Sequence, residues 1–486
     1  MKKTIVTLLL ASMLLSMAAC GGAEKETEKT SDTTADTTAQ SETETETEAD
    51  PLAALPVVDM DGYAFRQLIR NKDKWVADMV AEEQTGEIVN DAVFRRNTEV
   101  EERYNCVFTY QRSSHDNMEM DAQESIVAGD DAYDWVVTHP RSAAKYGNAG
   151  LVLAWEDLKY VDLTQPWWDK DAVENFKMPG GIYWMTGDIS YESVGAAVCM
   201  LFNKDYFLDN QLEFPYEMVK EGKWTFDAFL SMAKDYSRDL DGDGVIGDND
   251  IYGYISYRWI GPIQAFICSG SRVVMGEADD YAFNVYNERS LTMFEKYFPL
   301  VQSANTFVDT TSDSGGTNRE LFRDGHALFV DLNVSDVPIM REMDQAFGIL
   351  PWPKYDEASE YLTNVDAGTN MFVIPSTNRV VDNTSLVLES LAILGREYVI
   401  PAYYDVALKT RDSRDEQSSE MLDIIVSNRV FDLGYYNGEL GGDYASHFAE
   451  LVKEESPDFA SWYQSKLKAA TAARDKVLEA YRERMQ

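Results

Sequence analysis

The chain has 486 residues, of which 45% are hydrophobic and 12% aromatic, enough to build a large core or two lobes. Acidic residues outnumber basic ones by 84 to 43, which gives a formal net charge of −41 at pH 7. Such a surface repels phosphate backbones, so this composition excludes nucleic acid as a partner. Because the chain contains only 4 histidines, a histidine-rich zinc site is not expected.

Residues 1–19 have the features of an export signal. Lys2 and Lys3 precede an apolar run that is too short to remain in a bilayer as a helix, and small residues follow it. The stretch MAACG, which ends at Gly21, resembles a bacterial lipoprotein signal, in which the chain is cut before the cysteine. That resemblance implies a lipid on Cys20, with acyl groups such as palmitate, and a location on the outer face of the cell membrane. An ordinary secretory signal is the alternative.

A polar, acidic segment follows this signal. Residues 21–50 are almost entirely Glu, Thr, Asp, Ser and Ala, and they cannot bury enough apolar surface to offset the entropy of ordering. We therefore expect a disordered acidic tether over residues 20–55, with a reach of roughly 30 Å. No later stretch contains the ~18 consecutive apolar residues that a transmembrane helix requires.

Three cysteines remain beyond Cys20, and an odd count in an exported protein argues against a disulfide framework. Cys106, Cys199 and Cys268 all stand among apolar neighbours. We therefore expect buried free thiols at these positions.

From residue 56 onward, helical and strand patterns alternate. Apolar side chains recur at helical spacing over residues 86–104, and residues 106–110 and 133–138 have strand patterns. Thr225 is the predicted N-cap of a further helix. Other strands are predicted at 181–185, 196–202, 327–330, 347–350 and 371–374, and other helices at 119–128, at 288–302 and near the end of the chain. This alternation predicts α/β layers with mostly parallel strands.

The sharpest motif is the loop DLDGDGVIGDND at residues 239–250. Asp239, Asp241, Asp243 and Asp250 stand at its first, third, fifth and twelfth positions, glycine is sixth, and Val245 offers a backbone carbonyl from the seventh. This is the ligand spacing of an EF-hand-type calcium loop, with aspartate in place of the glutamate that sensor loops carry last. We predict a structural Ca²⁺ here. A solvated acidic turn without metal is the alternative.

Several short motifs occur in an order that points to one family. AGD at 128–130 and YDWVVT at 133–138 are followed by FNKD at 202–205, KWTFDAF at 223–229 and FRDGHALF at 322–329. Together they resemble the family 1 extracellular solute-binding proteins, the sugar-binding group that includes maltose-binding protein. The likeness covers most of residues 86–460.

This resemblance implies an α/β fold of the periplasmic-binding-protein-like type II class, with two α/β lobes joined by a three-crossing hinge. The ligand would lie in the cleft, and the hinge would close on binding. The chain is expected to cross between the lobes near 191–195, 331–334 and 368–371. The lobes would then comprise 56–190 with 332–370, and 191–331 with 371–486.

Most of the candidate ligand residues follow predicted strands or stand near the crossings, because an open α/β sheet binds its ligand at the carboxyl ends of its strands. Aromatic rings can stack on sugar faces, and carboxylates can accept hydrogen bonds from hydroxyls. For any single aromatic residue, core packing is the simpler alternative. The candidates are Thr138, His139, Arg141, Trp168, Tyr191, Glu192, Tyr257, Arg258, Trp259, Asp331, Trp352, Asp366 and Tyr436.

The resemblance implies a lipid-anchored, monomeric substrate-binding protein of an ABC importer. It would capture a sugar or oligosaccharide by lobe closure and deliver it unaltered to permease subunits. One alternative is a surface glycoside hydrolase, which needs two carboxylates about 5–9 Å apart across a sugar. Another is a ligand-sensing partner of a membrane receptor, which would have the same fold.

Overall fold

The computed structural model describes residues 50–114, 120–278, 280–311, 316–412, 415–454 and 458–486. The predicted signal at 1–19, Cys20 and most of the predicted tether at 20–55 lie outside these described residues. Within the described ranges, no helix combines the length and the apolar character that crossing a bilayer requires.

Six of the seven predicted strands lie close to their predicted positions, and the segment 181–185 is the exception. Residues 181–185 form only isolated bridges, of which one joins Met185 to Phe372. The strands of the described chain are β1 Tyr63–Ile69, β2 Cys106–Arg112, β3 Trp135–Thr138, β4 Val198–Asn203, β5 Ser237–Arg238, β6 Ile251–Tyr257, β7 Val274–Met275, β8 Ala282–Phe283, β9 Thr306–Asp309, β10 Ala327–Asn333, β11 Phe347–Leu350, β12 Thr363–Asn364, β13 Met371–Val373 and β14 Arg429–Val430.

Several helices begin at a residue whose side chain caps the first turn. Thr225 caps α9 as predicted, because its side chain accepts the backbone N–H of Ala228 at 3.3 Å. The α-helices are α1 Asp73–Ala77, α2 Ile88–Tyr104, α3 Asp121–Ala128, α4 Pro140–Asn148, α5 Lys170–Asn175, α6 Glu192–Gly195, α7 Lys204–Asp209, α8 Tyr216–Lys220, α9 Phe226–Ala233, α10 Gly261–Cys268, α11 Glu288–Val301, α12 Gly316–Arg323, α13 Val381–Leu394, α14 Glu416–Ser427, α15 Leu433–Tyr436, α16 Tyr444–Leu451 and α17 Phe459–Arg484.

The first lobe is built on a four-stranded sheet in the order β13-β3-β1-β2. β1 is parallel to β2 and β3, whereas β13 is antiparallel to β3. Every residue of β3 is buried, as expected for an inner strand of a sheet that is covered on both faces. Arg66 on β1 is 2.7 Å from the buried carboxylate of Asp134, so an ion pair joins these two neighbouring segments.

The second lobe is built on a six-stranded sheet in the order β11-β4-β10-β6-β5, with β9 also paired to β6. β6, β9 and β10 are parallel, so their carboxyl ends lie at one edge of the sheet. β4, β5 and β11 run antiparallel to their neighbours. Cys106, Cys199 and Cys268 are buried and free, as predicted.

The strand pairings differ from the expected division of the chain. β11, within the segment 332–370, pairs with β4 of the second lobe, whereas β13 pairs with β3 of the first lobe. Because β10 and β11 flank β4 in one sheet, the chain does not cross between sheets at 331–334. It returns to the first lobe between β11 and β13. The sequence pattern identifies these strands, but it does not show which partner each strand pairs with.

A further passage between the lobes contains two π-helical segments, Gly395–Val399 and Ala402–Asp412. Before them, α13 packs against α2 of the first lobe, and after them, α14 packs against β11 of the second. The segment Ala402–Asp412 contacts both α2 and the 3-10 helix Val334–Glu342. This part of the chain therefore touches both lobes.

Candidate functional site

A cavity of about 540 Å³ lies where strand ends of the two sheets face each other. Residues that follow β1 and β3 line it from the first lobe, and residues at the ends of β6 and β10 line it from the second. These are the carboxyl ends of parallel strands, which is where open α/β sheets bind their ligands. α12, the segment 366–368 and α15 contribute the remaining groups.

Three cations surround one indole ring in the first-lobe wall. The guanidinium carbon of Arg70 is 3.3 Å from the centre of the Trp75 ring, and the ammonium nitrogens of Lys72 and Lys74 are 5.2 and 5.4 Å from it. The indole N–H and the Arg70 guanidinium each donate to the carbonyl oxygen of Gly368 at 3.0 Å. We call Arg70, Lys72, Lys74 and Trp75 the Trp75 cluster.

His139 begins α4 in the same wall. Its Nδ1 accepts the backbone N–H of Arg141 at 3.1 Å and so caps the helix. Desolvation, together with the positive charges of Arg70, Arg141 and Lys145, holds the pKa of the His139 ring well below its usual range. The ring is therefore neutral at physiological pH. Arg141 lies 3.6 Å from the carboxylate of Asp443.

The second-lobe wall contains a tyrosine and a half-buried tryptophan. Tyr257 ends β6, and burial raises the pKa of its hydroxyl to about 12, so it remains protonated. The guanidinium carbon of Arg258 is 4.7 Å from the centre of the Trp259 ring, and the same guanidinium donates to Glu450 at 3.0 Å. This stacking holds the Trp259 ring in place as a flat apolar surface in the cavity.

Two carboxylates line the cavity, and both already accept hydrogen bonds. Asp336 accepts from Arg319 at 2.7 Å and from the backbone N–H of Asn333 at 3.3 Å. Asp366 accepts from the Tyr435 hydroxyl at 3.0 Å and, with its other oxygen, from a backbone N–H two residues later at 2.8 Å. These bonds fix the orientation of both carboxylates.

Asn318 of α12 is a buried polar group in the cavity lining. Its side chain is 1% exposed, and within the described part of the chain its oxygen accepts no hydrogen bond. Buried amide oxygens are normally satisfied. A donor that enters the cavity, such as a ligand hydroxyl, would satisfy this atom.

Neither a protein-family model nor a curated protein matches this sequence, but solved structures match the fold. An ABC substrate-binding protein from Listeria monocytogenes in complex with cycloalternan has a TM-score of 0.54 at 13% identity, over 86% of this chain and 98% of that one. A solute-binding protein from Thermotoga lettingae bound with α-D-tagatose gives 0.54 at 13% identity, over 86% and 100%. The maltose/maltodextrin-binding domain MalE from Bdellovibrio bacteriovorus bound to maltotriose gives 0.51 at 12% identity, over 87% and 99%.

The chain shares the fold of these three proteins. This confirms the predicted α/β class with two lobes. In this fold, the cavity described above lies between the strand ends of the two lobes.

Five of the predicted ligand residues line this cavity. All of them lie at or just after strand ends, or in the segment that leads into β13, as the strand-end rule requires. They are His139, Arg141, Tyr257, Trp259 and Asp366.

The other eight predicted ligand residues do not line the cavity. Three of them lie in the first lobe or near the first passage between the lobes, where they are buried or contact other side chains. Thr138 is fully buried in β3. Trp168 donates its indole N–H to the buried carboxylate of Glu389 at 2.9 Å. The ring of Tyr191 stacks on Tyr403, with centres 4.6 Å apart. These contacts are structural, so the predicted ligand role of the three residues has no support from their position.

Glu192 and Arg258 lie one layer behind the lining. The carboxylate of Glu192 is 3.8 Å from the ammonium of Lys74, and burial raises its pKa to about 7. Arg258 stacks on Trp259 and pairs with Glu450, as described above. Both residues therefore contact side chains that line the cavity.

Asp331, Trp352 and Tyr436 belong to the interior. Asp331 is fully buried and accepts the hydroxyl of Tyr254 at 2.5 Å. The ring of Trp352 stacks on Phe226 at 5.6 Å. Tyr436 donates its hydroxyl to a buried backbone carbonyl, and its chain neighbour Tyr435 lines the cavity in its place.

The sequence analysis missed the Trp75 cluster, Asn318, Arg319 and Asp336. The available signal was KDKW at 72–75, which places charges and an aromatic ring soon after the apolar residues at 68–69. Because β1 was not among the predicted strands, the strand-end rule was never applied to the residues that follow it.

The predicted calcium loop brings three carboxylates together. One oxygen each from Asp239, Asp241 and Asp243 lies within 4.8 Å of the others. Asp239 also accepts the backbone N–H of Gly244, whose φ of +84° gives the sharp turn that glycine allows. Asp250 accepts backbone N–H groups at 2.7 and 2.8 Å, one with each oxygen, which lowers its pKa. The residues present fit a calcium ion, since each carboxylate oxygen keeps a further lone pair.

Proposed function

We propose that this chain is the substrate-binding protein of an ABC importer and that it binds a saccharide between its lobes. The cavity between the two sets of strand ends carries this proposal, because it combines the Trp259 ring with hydrogen-bonding groups from both lobes. Stacking on a ring and hydrogen bonds to hydroxyls are how proteins recognise sugars. Structures of the same fold bound to cycloalternan, tagatose and maltotriose support a saccharide ligand.

The carboxylates in the cavity favour binding without hydrolysis. A glycoside hydrolase needs one carboxylic acid that protonates the leaving oxygen and a second carboxylate across the sugar. Here Asp336 is ion-paired with Arg319, and Asp366 is hydrogen-bonded to Tyr435. Both carboxylates position neighbouring groups, so we propose that the ligand leaves the cavity unaltered.

We further propose that the chain is exported, cut before Cys20 and lipidated there. The predicted tether, which ends where the 3-10 helix Pro51–Ala54 begins and Leu52 is buried, would then hold a monomeric binding domain near its permease on the outer face of the membrane. Two or more acyl chains give stable anchoring, at ~0.8 kcal/mol per buried methylene. A Cys20→Ser variant should appear in the medium, whereas the unaltered chain should sediment with membranes. Equal membrane retention of both would contradict the anchor.

We also propose that the loop at 239–250 binds a structural Ca²⁺. Asp239, Asp241 and Asp243 would supply three oxygens, and the Val245 carbonyl and Asp250 would supply the rest. The ion would offset the repulsion among the carboxylates. It would thereby hold the loop in front of β6, whose carboxyl end carries Tyr257.

Isothermal titration calorimetry against a panel of neutral and acidic oligosaccharides tests the binding proposal, with chromatography of the recovered ligand. We expect binding of one ligand per chain, with no product after prolonged incubation. Turnover would show a hydrolase. The absence of binding by every saccharide, with the protein folded by circular dichroism, would contradict the proposed function.

A further inference from the structure

The lining of the cavity has the opposite charge to the chain as a whole. The formal net charge is −41, and acidic side chains outnumber basic ones about two to one. In the cavity the ratio is reversed, because five cations face two carboxylates. The cations are Arg70, Lys72, Lys74, Arg141 and Arg319, and the carboxylates are Asp336 and Asp366. A cleft lined with one sign of charge concentrates ligands of the other sign.

Nearby carboxylates compensate some of this charge, but not all of it. Arg319 lies 2.7 Å from the carboxylate of Asp336, and Lys74 lies 3.8 Å from that of Glu192. Arg141 lies 3.6 Å from the carboxylate of Asp443, which is 56% exposed. Pairing with an exposed carboxylate is weak because water and salt screen it. Lys72 has no carboxylate within 4.0 Å anywhere in the ranges that the structure describes. The positive charge of Lys72 therefore remains uncompensated beside Trp75.

The cavity offers more hydrogen-bond donors than acceptors to a ligand. Asp336 and Asp366 each accept bonds from protein groups with both oxygens. The guanidinium and ammonium groups of the lining are donors only. Asn318 is one exception, because its buried oxygen is an acceptor without a donor among the described residues. This balance fits a ligand that presents several acceptor oxygens and at least one hydroxyl.

The Trp75 cluster provides the place for a negative group. Three cations lie within 5.4 Å of one ring centre, and like charges this close repel one another. The indole ring offsets part of that repulsion by cation–π attraction. A bound anion would offset more of it, since charge-assisted hydrogen bonds to a carboxylate or sulfate are strong. An uncharged sugar would leave this repulsion in place.

We propose that the ligand is an anionic saccharide, whose carboxylate or ester sulfate lies against the Trp75 cluster and whose ring stacks on Trp259. This inference rests on the proposed saccharide-binding function and deepens it. Uronates and sulfated sugars share the chemistry that these cations recognise, and the ligand pairs used in the experiment separate the two.

Calorimetry with matched pairs of ligands tests the inference. One pair is digalacturonate and galactobiose, which differ in carboxylates, and the other is a chondroitin disaccharide with and without its sulfate. In at least one pair, we expect the member with the extra anionic group to bind at least about tenfold more tightly than the member without it. Its affinity should also fall several-fold between about 50 and 500 mM NaCl, because salt screens the cations. A preference within the first pair identifies a carboxylate as the recognised group, and a preference within the second pair identifies a sulfate.

Lys72→Gln is the decisive variant, because the side chain is exposed and its replacement leaves the core intact. It should weaken the anionic ligand by about fivefold to tenfold. Lys476→Gln removes an exposed lysine of α17 that does not line the cavity, and it should change nothing. If an uncharged sugar binds best, with no effect of salt or of Lys72→Gln, the anionic inference fails while the proposed function stands. If no saccharide binds, both fail.

Discussion

The guanidinium of Arg70 stacks on the indole ring of Trp75, with its central carbon 3.3 Å from the ring centre. Both groups also donate to the carbonyl oxygen of Gly368, just before β13. The end of β1 is thereby tied to the segment that returns from the second lobe. The first-lobe wall of the cavity is thus held in shape by protein contacts, which lowers the entropy lost when a ligand binds.

Replacing Arg70 with glutamine should weaken ligand binding and stability together. The variant removes a cation from the cavity and removes donors to the carbonyls of Gly368 and Thr369. We expect affinity to fall by about tenfold or more and the free energy of unfolding to fall by about 1–3 kcal/mol. Calorimetry and urea unfolding measure the two effects. Arg379→Gln, at an exposed position, is the control, and unchanged affinity in R70Q would contradict the cavity assignment.

Trp259→Ala should weaken binding with little effect on stability. The ring is half-buried and presents a flat surface to the cavity, so its loss removes a stacking contact of about 0.5–1.5 kcal/mol. Trp352→Ala is the matched contrast, because that ring is 1% exposed and stacks on Phe226. It should lower stability by about 3–5 kcal/mol. A stability loss of equal size in both variants would show that Trp259 is a core residue.

Removing calcium should lower the melting temperature of the protein. Without the ion, the carboxylates of Asp239, Asp241 and Asp243 repel one another, and the loop before β6 loses its support. We expect EDTA to lower the melting temperature by several degrees and excess Ca²⁺ to restore it, by ligand linkage. Asp241→Asn should reduce the response to EDTA, whereas Asp209→Asn, at an exposed position outside the loop, should not. A melting curve that is indifferent to the chelator rules out the metal.

Stability should fall as the pH rises from about 4 to about 7, the range set by the buried carboxyl of Asp331. Burial raises its pKa to about 7, from about 4 in the unfolded chain. The folded state therefore binds this proton more tightly, so the free energy of unfolding decreases with pH across that interval, at about 1.4 kcal/mol per unit of pKa shift. Urea midpoints at several pH values measure the slope.

Asp331→Asn provides the control for that slope. The amide can still accept the hydroxyls of Tyr254 and Ser256 but does not titrate. The variant should show a shallower decrease between pH 5 and 7 than the unaltered chain. Burial also raises the pKa of Glu192 and Glu389 to about 7, so part of the slope should remain. Identical slopes in both proteins would assign the pH dependence to other groups.

Local patterns predicted the strands better than they predicted how the strands pair. The apolar run at 347–350 is β11, with the predicted bounds. Its partner is β4, some 150 residues earlier in the chain, and the sequence contains no sign of that pairing. β1 escaped prediction because Arg66 and Gln67 interrupt its apolar pattern. The cost of placing Arg66 there is offset by its ion pair with Asp134, a tertiary contact.

A residue of the candidate site was predictable where its position in the chain is enough to place it at the cavity. It was not predictable where the direction of its side chain decides whether it faces the cavity. His139 and Trp259 follow strands, and both line the cavity. Tyr435 and Tyr436 are adjacent on α15, where successive side chains point about 100° apart, so only one of them can face the ligand. Trp168 was predicted for the cleft, but its indole N–H is committed to the buried carboxylate of Glu389.

The helix cap formed by His139 has a chemical consequence for whatever occupies the cavity. Because Nδ1 accepts the backbone N–H of Arg141, the uncharged imidazole must carry its single proton on Nε2. That tautomer can give a hydrogen bond at Nε2 and cannot receive one there. The position therefore selects an oxygen lone pair on the incoming molecule and disfavours a hydroxyl proton aimed at the same point.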